Sequence, residues 1–537
     1  MKNNIFGSKY KKFNRILIYV VLPLIIFFFA LFLRLYFFTG FILGDDIEEF
    51  NVVIHYLDHG PNLKYAAHLS FSRWIPNIIS FLLFGVSEIS FFLPTWILSS
   101  SMAVIGYYIL IYWRYQSNQS FLAALFMASA PFEILIGIVH ANDLIFSWII
   151  AITLYIFIIS KKKPITQGII VAFLLWLAFY TKIWVVYFFP ALGMYYLYHI
   201  YKHGKWQGLA SFSFASIFLH GITSIVWKIT TGTFIPFVYL HSASYPVSAE
   251  SMPWLLQLYP KMILFGSEFG TTLFGLIPYV LTGLLILKVV LSRTVKRYKK
   301  LLRFDKLDIY LFAYYTSFFI LLNFFPNTFQ FDQYYSAPRI FRYLYPISFP
   351  MVLHIAKIII DFGKIKFRLR TTKALRESVI GKYHIMLIFL LLISVNIYQA
   401  NEATKPGQIY RENLLSIVKD IREQAPPQLL SESWINFFLR EIYLKEERDK
   451  INIIPIYNIY DAKEYEKWLK ENQYNLTEGS MLVTGIGNYV HYGCHSCGFR
   501  LNQFNGKLDP GWKLFKEYGN LSYLPVPEKA KLWVWEP

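Results

Sequence analysis

Residues 16–38 read ILIYVVLPLIIFFFALFLRLYFF, and residues 44–50, shortly after them, read GDDIEEF. A helix of about 20 apolar residues spans the hydrocarbon core of a bilayer, and the first stretch is long enough. It is too long for the apolar region of a cleavable signal peptide, and no small-residue cleavage site precedes the acidic stretch. The sequence therefore predicts a retained membrane helix followed by an acidic loop.

The composition of the whole chain agrees with a membrane protein. Of its 537 residues 55% are hydrophobic, 19% are aromatic and only 16% are charged, which departs from the mixture in soluble globular proteins. The net charge of +19 could indicate nucleic-acid binding, but no basic helix or aromatic RNA-binding pattern accompanies it. We therefore expect membrane lipids as partners and no nucleic acid.

Ten more apolar stretches are long enough to span a membrane, which gives about eleven transmembrane helices in all. They lie at residues 89–113, 119–139, 142–160, 166–181, 183–201, 208–229, 269–291, 308–325, 343–360 and 383–398. Lysine and arginine cluster at every alternate end of these stretches, and acidic residues gather at the opposite ends. The positive-inside rule therefore predicts a cytoplasmic N-terminus. We expect a multi-pass protein of the plasma or inner membrane.

The last part of the chain, residues 401–537, is much less apolar and falls on the outer side after an odd number of spans. Candidate strands at 452–457, 480–483 and 532–535, with a helical pattern at 461–471, predict a small α/β domain there. Residues 1–400 form the predicted transmembrane domain, with outer loops at 40–88, 230–268 and 326–342. Cys494 and Cys497 are expected to form a local disulfide, because one such pair supplies only half of a zinc site.

The first outer loop carries the acidic stretch, with Asp45 and Asp46 at its start. Crowded carboxylates raise at least one pKa, and such a group can act as a general base on an acceptor hydroxyl. The alternative is an acidic first turn of a surface helix that extends to Gly60, because acidic side chains favour helix N-termini. The residues alone leave both interpretations open.

An apolar first helix with Arg34 near its end, followed by this acidic pair, resembles the start of the C-class (GT-C) glycosyltransferases. Protein O-mannosyltransferases and lipid A aminoarabinose transferases are members of that class. Their acidic pair is Asp-Glu or similar, whereas here it is Asp45-Asp46. The resemblance implies a catalytic base at one of the two positions and leaves open which one it is.

Two further motifs are similar to segments of these enzymes. Residues 178–182, AFYTK, look like a Leu-Thr-Lys segment on the outer side, and residues 339–346, RIFRYLYP, look like an Arg-Tyr-x-x-Pro pattern that opens a late helix. The resemblance implies that Lys182, with Arg342 or Arg339, binds the donor phosphate. A snorkelling lysine at a helix end and an arginine that pairs with Asp332 are the competing interpretations.

Asp143 matches an acid that related transferases carry after a proline-containing helix, here one with Pro131, and it could equally cap the helix that follows. Asp143, Glu49 and His241 are predicted to contact the substrate. Histidines of the outer loops could join carboxylates at a divalent metal, but no spacing requires it, so no metal or other cofactor is predicted.

The sequence thus predicts an enzyme that transfers a hexosyl or pentosyl group, with inversion, from a polyprenyl-phosphate carrier to a glycolipid, polysaccharide or protein at the extracytoplasmic face. The expected partners are this donor and a lipid or glycan acceptor. The alternative is a transporter or flippase of lipid-linked glycans. That class needs polar groups at the bilayer midplane, whereas the predicted charges lie at one interface. Neither the sugar nor the acceptor follows from the sequence.

Overall fold

The structure, a computed structural model, describes most of the helical part of the chain and five strands. The described residues are 15–41, 44–60, 71–139, 142–159, 163–232, 276–294, 302–324, 344–363, 376–432, 439–447, 449–456, 467, 471, 476–484, 511–521 and 528–536.

Helices dominate the described residues, and we number them along the chain. They are α1 (Leu22–Tyr36), α2 (Gly44–His59), α3 (Phe71–Phe84), α4 (Glu88–Tyr112), α5 (Ser117–Ser129), α6 (Pro131–Gly137), α7 (Asn142–Ile159), α8 (Pro164–Phe179), α9 (Phe189–His203), α10 (Gln207–Thr231), α11 (Ile277–Thr294), α12 (Lys306–Phe324), α13 (Tyr345–Gly363) and α14 (Arg376–Gln424). A π-helical turn, Leu17–Val21, precedes α1, and a 3-10 helix, Ile183–Phe188, precedes α9.

Six of the described helices are long and apolar enough to cross a membrane. They are Leu17–Tyr36, Glu88–Tyr112, Gln207–Ile229, Ile277–Thr294, Tyr345–Gly363 and the apolar part of Tyr383–Gln424. The broken pair α5 and α6 would be a seventh span. Each of the eleven predicted stretches overlaps a helical segment, so the chain is a polytopic α-helical membrane protein, while the count of eleven spans stays a prediction.

The predicted span at 119–139 is not one straight helix. The chain bends by 57° between Ser129 and Pro131, where α5 ends and α6 begins. Proline has no backbone N–H and its ring clashes with the preceding turn, so it ends a helix or bends it. The bend leaves backbone carbonyls of α5 without their helical donors.

Two helices lie within residues 40–88, for which the sequence predicts an outer loop. Helix α2 covers the acidic stretch and ends at His59, next to the end at Gly60 in the helical alternative, and it buries Phe50 and Val53. Helix α3 was not predicted. At 14 residues α3 is shorter than a membrane span, and it contains Pro76. A search for stretches of spanning length therefore passes over it.

The chain divides into two compact units. The first consists of Met1–Tyr36, His55–Pro76 and Pro94–Ala403, and the second of Phe37–Ile54, Asn77–Leu93 and Thr404–Pro537.

In the first unit, α13 is buried on all sides from Tyr345 to Asp361 and packs against α11, α12 and α7. Helices α8 and α10 approach each other closely at Gly168, where a Cβ atom would collide with the carbonyl oxygen of Gly208. Helix α10 exposes large apolar side chains such as Phe214 and Ile217, as expected of a helix that faces lipid.

The second unit contains a five-stranded sheet. Its strands are β1 (Gln428–Glu432), β2 (Asn452–Ile456), β3 (Met481–Thr484), β4 (Trp512–Leu521) and β5 (Glu528–Trp535), in the order β2-β1-β3-β5-β4. Strand β1 is parallel to β2 and β3, and β5 is antiparallel to β3 and β4. The small C-terminal α/β domain is confirmed, with β2, β3 and β5 close to the predicted strands. The predicted helix at 461–471 lies outside the described residues except for residues 467 and 471, and both cysteines lie outside them.

Candidate active site

Two of the predicted site residues, Asp143 and Lys182, meet in the first unit. Asp143 lies in the first turn of α7, and Lys182 follows the end of α8 and caps the 3-10 helix. A short connection joins α7 to α8, so the start of α7 and the end of α8 lie side by side. The Lys182 Nζ atom donates a hydrogen bond to the Asp143 Oδ1 atom over 2.6 Å.

Neighbouring side chains hold Lys182 in place. Its Nζ atom lies 4.0 Å from the centre of the Trp184 ring, which is a cation–π distance. The hydroxyls of Thr181 and Ser72 are 2.7 Å apart, and both contact the carbonyl oxygen of Leu177 at the end of α8. These contacts fix the turn that presents the lysine.

The side chain of Asp143 is more deeply buried than that of Lys182, and this difference affects which groups the pair can bind. The Asp143 side chain is 2% exposed, whereas that of Lys182 is 16% exposed. The ammonium group of a lysine has three donors, so a lysine with a partly exposed side chain and a buried carboxylate partner has the chemistry to bind an anionic group. The pair is therefore suited to binding a phosphate, and charge-assisted hydrogen bonds of this kind are the stronger ones.

The acidic stretch belongs to the second unit. Asp45 and Asp46 lie in the first turn of α2, and their side chains are outside the described part. Glu49, one turn later, is described and is 1% exposed. The roles predicted for these three carboxylates stay predictions, as do those of Arg339, Arg342 and His241, which lie outside the described residues.

A buried polar cluster in the first unit was not predicted as a group. The Arg34 guanidinium donates to the Ser99 hydroxyl at 2.9 Å, to the carbonyl oxygen of Ala128 at 2.6 Å and to that of Glu133 at 3.2 Å. The Glu133 carboxylate in turn accepts a hydrogen bond of 2.6 Å from the Tyr345 hydroxyl at the start of α13.

A signal for this cluster exists in the sequence. Ionisable residues within membrane segments are rare and usually have partners, and Glu133 directly follows the proline that breaks its segment. Arg34 enters the sequence prediction only through the resemblance, and Glu133 is not among the predicted site residues.

The described residues contain no group of three or more His, Cys, Asp or Glu side chains that could hold a metal ion. Of the histidines predicted to lie on the outer side, His68, His140 and His241 lie outside the described ranges, whereas His55 and His59 are described. Metal dependence is therefore untested.

The chain has a GT-C-like fold, in which the membrane helices come first along the chain and a small sheet follows at the C-terminal end. ArnT from Cupriavidus metallidurans in the apo state has a similar structure, with a TM-score of 0.53, 12% identity and coverage of 97% of this chain and 98% of that one. ArnT is a lipid A aminoarabinose transferase.

A second ArnT structure, with bound undecaprenyl phosphate, gives a TM-score of 0.49 at 11% identity, with the same coverage of 97% and 98%. No protein-family model matches the sequence, and no curated protein matches it. The similarity to ArnT therefore concerns the fold.

Proposed function

We propose that this protein is a membrane glycosyltransferase that moves a sugar from a polyprenyl-phosphate carrier to a glycolipid, polysaccharide or protein acceptor at the extracytoplasmic face. The observation that carries this proposal is the Lys182–Asp143 pair, in which a lysine with a partly exposed side chain is oriented by a buried carboxylate. The GT-C-like fold, shared with a transferase, supports it.

The predicted position of the pair supports a lipid-linked donor. The basic ends of the helices predict that the N-terminus is cytoplasmic and that Lys182, at the opposite end of its helix from Lys163, is extracytoplasmic. Nucleotide sugars are not available on that side. A sugar on a polyprenyl phosphate is activated by its phosphate, and its chain can lie in lipid beside the helices.

In the proposed reaction the acceptor hydroxyl oxygen attacks the anomeric carbon while the bond from that carbon to the phosphate oxygen breaks. The hydroxyl proton passes to the carboxylate of Asp45 or Asp46, and polyprenyl phosphate leaves with the bonding electrons. One displacement inverts the configuration. Lys182, together with Arg342 or Arg339, would stabilise the charge that grows on the leaving phosphate. Asp143, Glu49 and His241 would contact the substrates.

The test of this proposal compares Lys182→Met with a matched lysine variant, Lys228→Met. Lys228 also lies at the end of an apolar helix, but it is exposed and donates to the backbone carbonyl of Gly232.

Purified proteins would be given a panel of labelled polyprenyl-phosphate sugars with glycolipid acceptors. A hydrogen bond between charged groups contributes roughly 1.5–3 kcal/mol. We expect Lys182→Met to weaken undecaprenyl-phosphate binding by about 10- to 100-fold, with Lys228→Met unchanged.

Equal binding by the two variants would remove Lys182 from the donor site. Asp45→Asn and Asp46→Asn, assayed for transfer with donor binding as a control, would identify the base. Absence of transfer by the wild-type protein with every donor, together with movement of a lipid-linked glycan across a vesicle membrane, would favour the transporter instead.

A further inference from the structure

A second polar cluster lies in the unit that contains the acidic stretch, and the proposed reaction does not use it. Glu88, at the start of α4, accepts a hydrogen bond of 2.7 Å from the Arg411 guanidinium on α14. Its other carboxylate oxygen accepts one of 2.9 Å from the hydroxyl of Tyr443, in the π-helical turn Leu439–Tyr443. Arg411 and Tyr443 both belong to the C-terminal part of the chain.

The protonation states suit this cluster. Burial and the neighbouring Glu88 carboxylate raise the pKa of Tyr443 well above its usual range, so the phenol stays protonated and donates. Burial alone would lower the pKa of Arg411, but the hydrogen bond and charge of Glu88 outweigh it and raise that pKa. The arginine is therefore a cation at every relevant pH.

The cluster is in direct contact with the segment that leads to the acidic pair. Gly40 has a φ of +73°, and a Cβ atom at this position would lie 2.8 Å from the Glu88 Oε1 atom and 3.0 Å from the Arg411 Cδ atom. The Arg411 guanidinium also lies 5.1 Å from the centre of the Phe38 ring. Only glycine combines this backbone conformation with so close an approach.

Aromatic side chains hold the segment on both sides of the acidic pair. Phe41 stacks on Phe91, with ring centres 5.3 Å apart, and contacts Phe50 at 5.8 Å. Phe50, four residues after Asp46, has no exposed surface and packs edge-on against Phe81 and Phe91. The acidic pair thus lies between two anchored points, Gly40 and Phe50.

We infer that Glu88, Arg411 and Tyr443 are positioning residues, through which the C-terminal domain fixes the segment that carries Asp45 and Asp46. This inference rests on the proposed function and deepens it, because it gives the C-terminal domain a part in the reaction. None of the three residues needs to touch a substrate. Their effect reaches the reaction through the backbone of residues 37–41.

The expected size of the effect follows from the geometry that catalysis requires. A displacement of a reacting group by about 1 Å can lower a rate by roughly 100-fold. Glu88→Gln keeps the shape of the side chain but removes the charge that Arg411 and Tyr443 share. We expect this variant to lower kcat by about 10- to 100-fold while KM for the polyprenyl-phosphate sugar changes little, because the lysine that binds the phosphate is untouched.

A matched control exists on the same helix. Asp420 on α14 pairs with Lys516 of β4 at 2.7 Å, within the same unit, and neither residue contacts Gly40. Asp420→Asn should therefore leave kcat unchanged even where it loosens the domain.

Arg411→Lys keeps the charge without the planar fork, so we expect it to retain part of the activity that Arg411→Met loses. Gly40→Ala should reproduce the loss of kcat without a change of charge.

Amide hydrogen exchange over residues 37–54 in the full-length protein gives a readout independent of turnover. We expect faster exchange there in Glu88→Gln and not in Asp420→Asn. Unchanged exchange and kcat in Glu88→Gln would overturn the inference, and so would an equal fall of kcat in Asp420→Asn.

Should Glu88→Gln fail to fold, Arg411→Lys and Gly40→Ala decide by the same readouts. If the wild-type protein transfers no sugar, the proposed function fails, and the exchange comparison still decides whether the cluster anchors the segment.

Discussion

Lys182 shows how far a single residue can be interpreted from sequence. An apolar helix followed by a lysine is compatible with snorkelling or with a phosphate site, and the sequence left both open. In the structure the ammonium is 2.6 Å from Asp143, a carboxylate with 2% of its surface exposed. A snorkelling lysine extends its charge into water, whereas this one is oriented by a buried partner. The contact shows that Lys182 is oriented by a partner, and phosphate binding by this residue stays a proposal.

Asp420 allows a prediction about pH at the level of one residue. Burial raises its pKa, but hydrogen bonds from Lys516 and Tyr518, with the charge of Lys516, outweigh burial and lower it. A carboxyl group whose pKa is depressed by folding stabilises the folded state above its ordinary pKa of about 4. That contribution is lost as the pH falls through the folded value.

We therefore expect Asp420→Asn to reduce the protection of β4 amides from hydrogen exchange at pH 7. The difference from the wild type should shrink as the pH falls from about 4 through the lower pKa of the folded state, below which the wild-type carboxyl group is protonated as well. The measurement compares protection factors over residues 512–521 in the full-length protein. A difference that persists at acid pH would contradict the assignment of this effect to the charge of Asp420.

At the level of elements, the break between α5 and α6 explains why Arg34 is buried. Pro131 bends the segment by 57°, and Arg34 donates to the carbonyl oxygen of Ala128 at the end of α5 and to that of Glu133 in α6. In lipid there is no water to satisfy such carbonyls, so a side chain has to do so. The sequence shows the proline and the arginine, but only folding brings them together.

We expect Arg34→Met to destabilise the protein by about 3–5 kcal/mol, because it removes one partner of a buried charged network. Arg34→Lys should recover only part of this loss, since an ammonium lacks the planar fork of donors. Thermal unfolding in detergent measures the effect. The control is Arg293→Met, which removes an exposed arginine at the end of α11. Equal stability of Arg34→Met and the wild type would refute this account.

At the level of the whole molecule, the two ends of α13 carry different polar networks. Tyr345, at its start, donates to Glu133. Asp361 lies 16 residues later, about 24 Å along a helix, and joins a network with Lys288, Asp308 and Lys357. Lys288 and Lys357 approach Asp308 to 2.9 and 2.8 Å, and Lys357 approaches Asp361 to 3.0 Å.

Asp308 is the centre of this network, because it also accepts at 3.1 Å from His354 when that ring is protonated on Nε2. Removing one charge from a buried group leaves the opposite charges uncompensated, which costs about 3–5 kcal/mol. We expect Asp308→Asn to lower the unfolding temperature strongly. The double variant Lys288→Met/Asp308→Asn should lose less than the sum of the two single variants, because both act on one network. Thermal unfolding of the four proteins completes the cycle, and additive losses would speak against coupling.

The membrane character, the places of the helical segments and the small α/β domain could be predicted from the sequence. The length of an apolar stretch and the alternation of strand and helix patterns are local features of the chain, so they can be recognised without knowing the fold. Helix α3 was not predicted, because it is shorter than a membrane span. The break at Pro131 was not predicted, because a proline can be accommodated in a membrane helix in several ways.

For the candidate site, the sequence by itself determined which residue types could perform the reaction: an acidic pair, a lysine and an acid at helix ends, and two arginines. Only the tertiary structure decided which of these residues contact one another. Lys182 donates to Asp143, and Arg34 donates to carbonyl oxygens on both sides of Pro131. Arg411 donates to Glu88 beside Gly40. The partners in these contacts are 39 to 323 positions apart. Periodicity reports which face of a helix is apolar, but a hydrogen bond between distant segments depends on how the helices pack, and no local pattern encodes that.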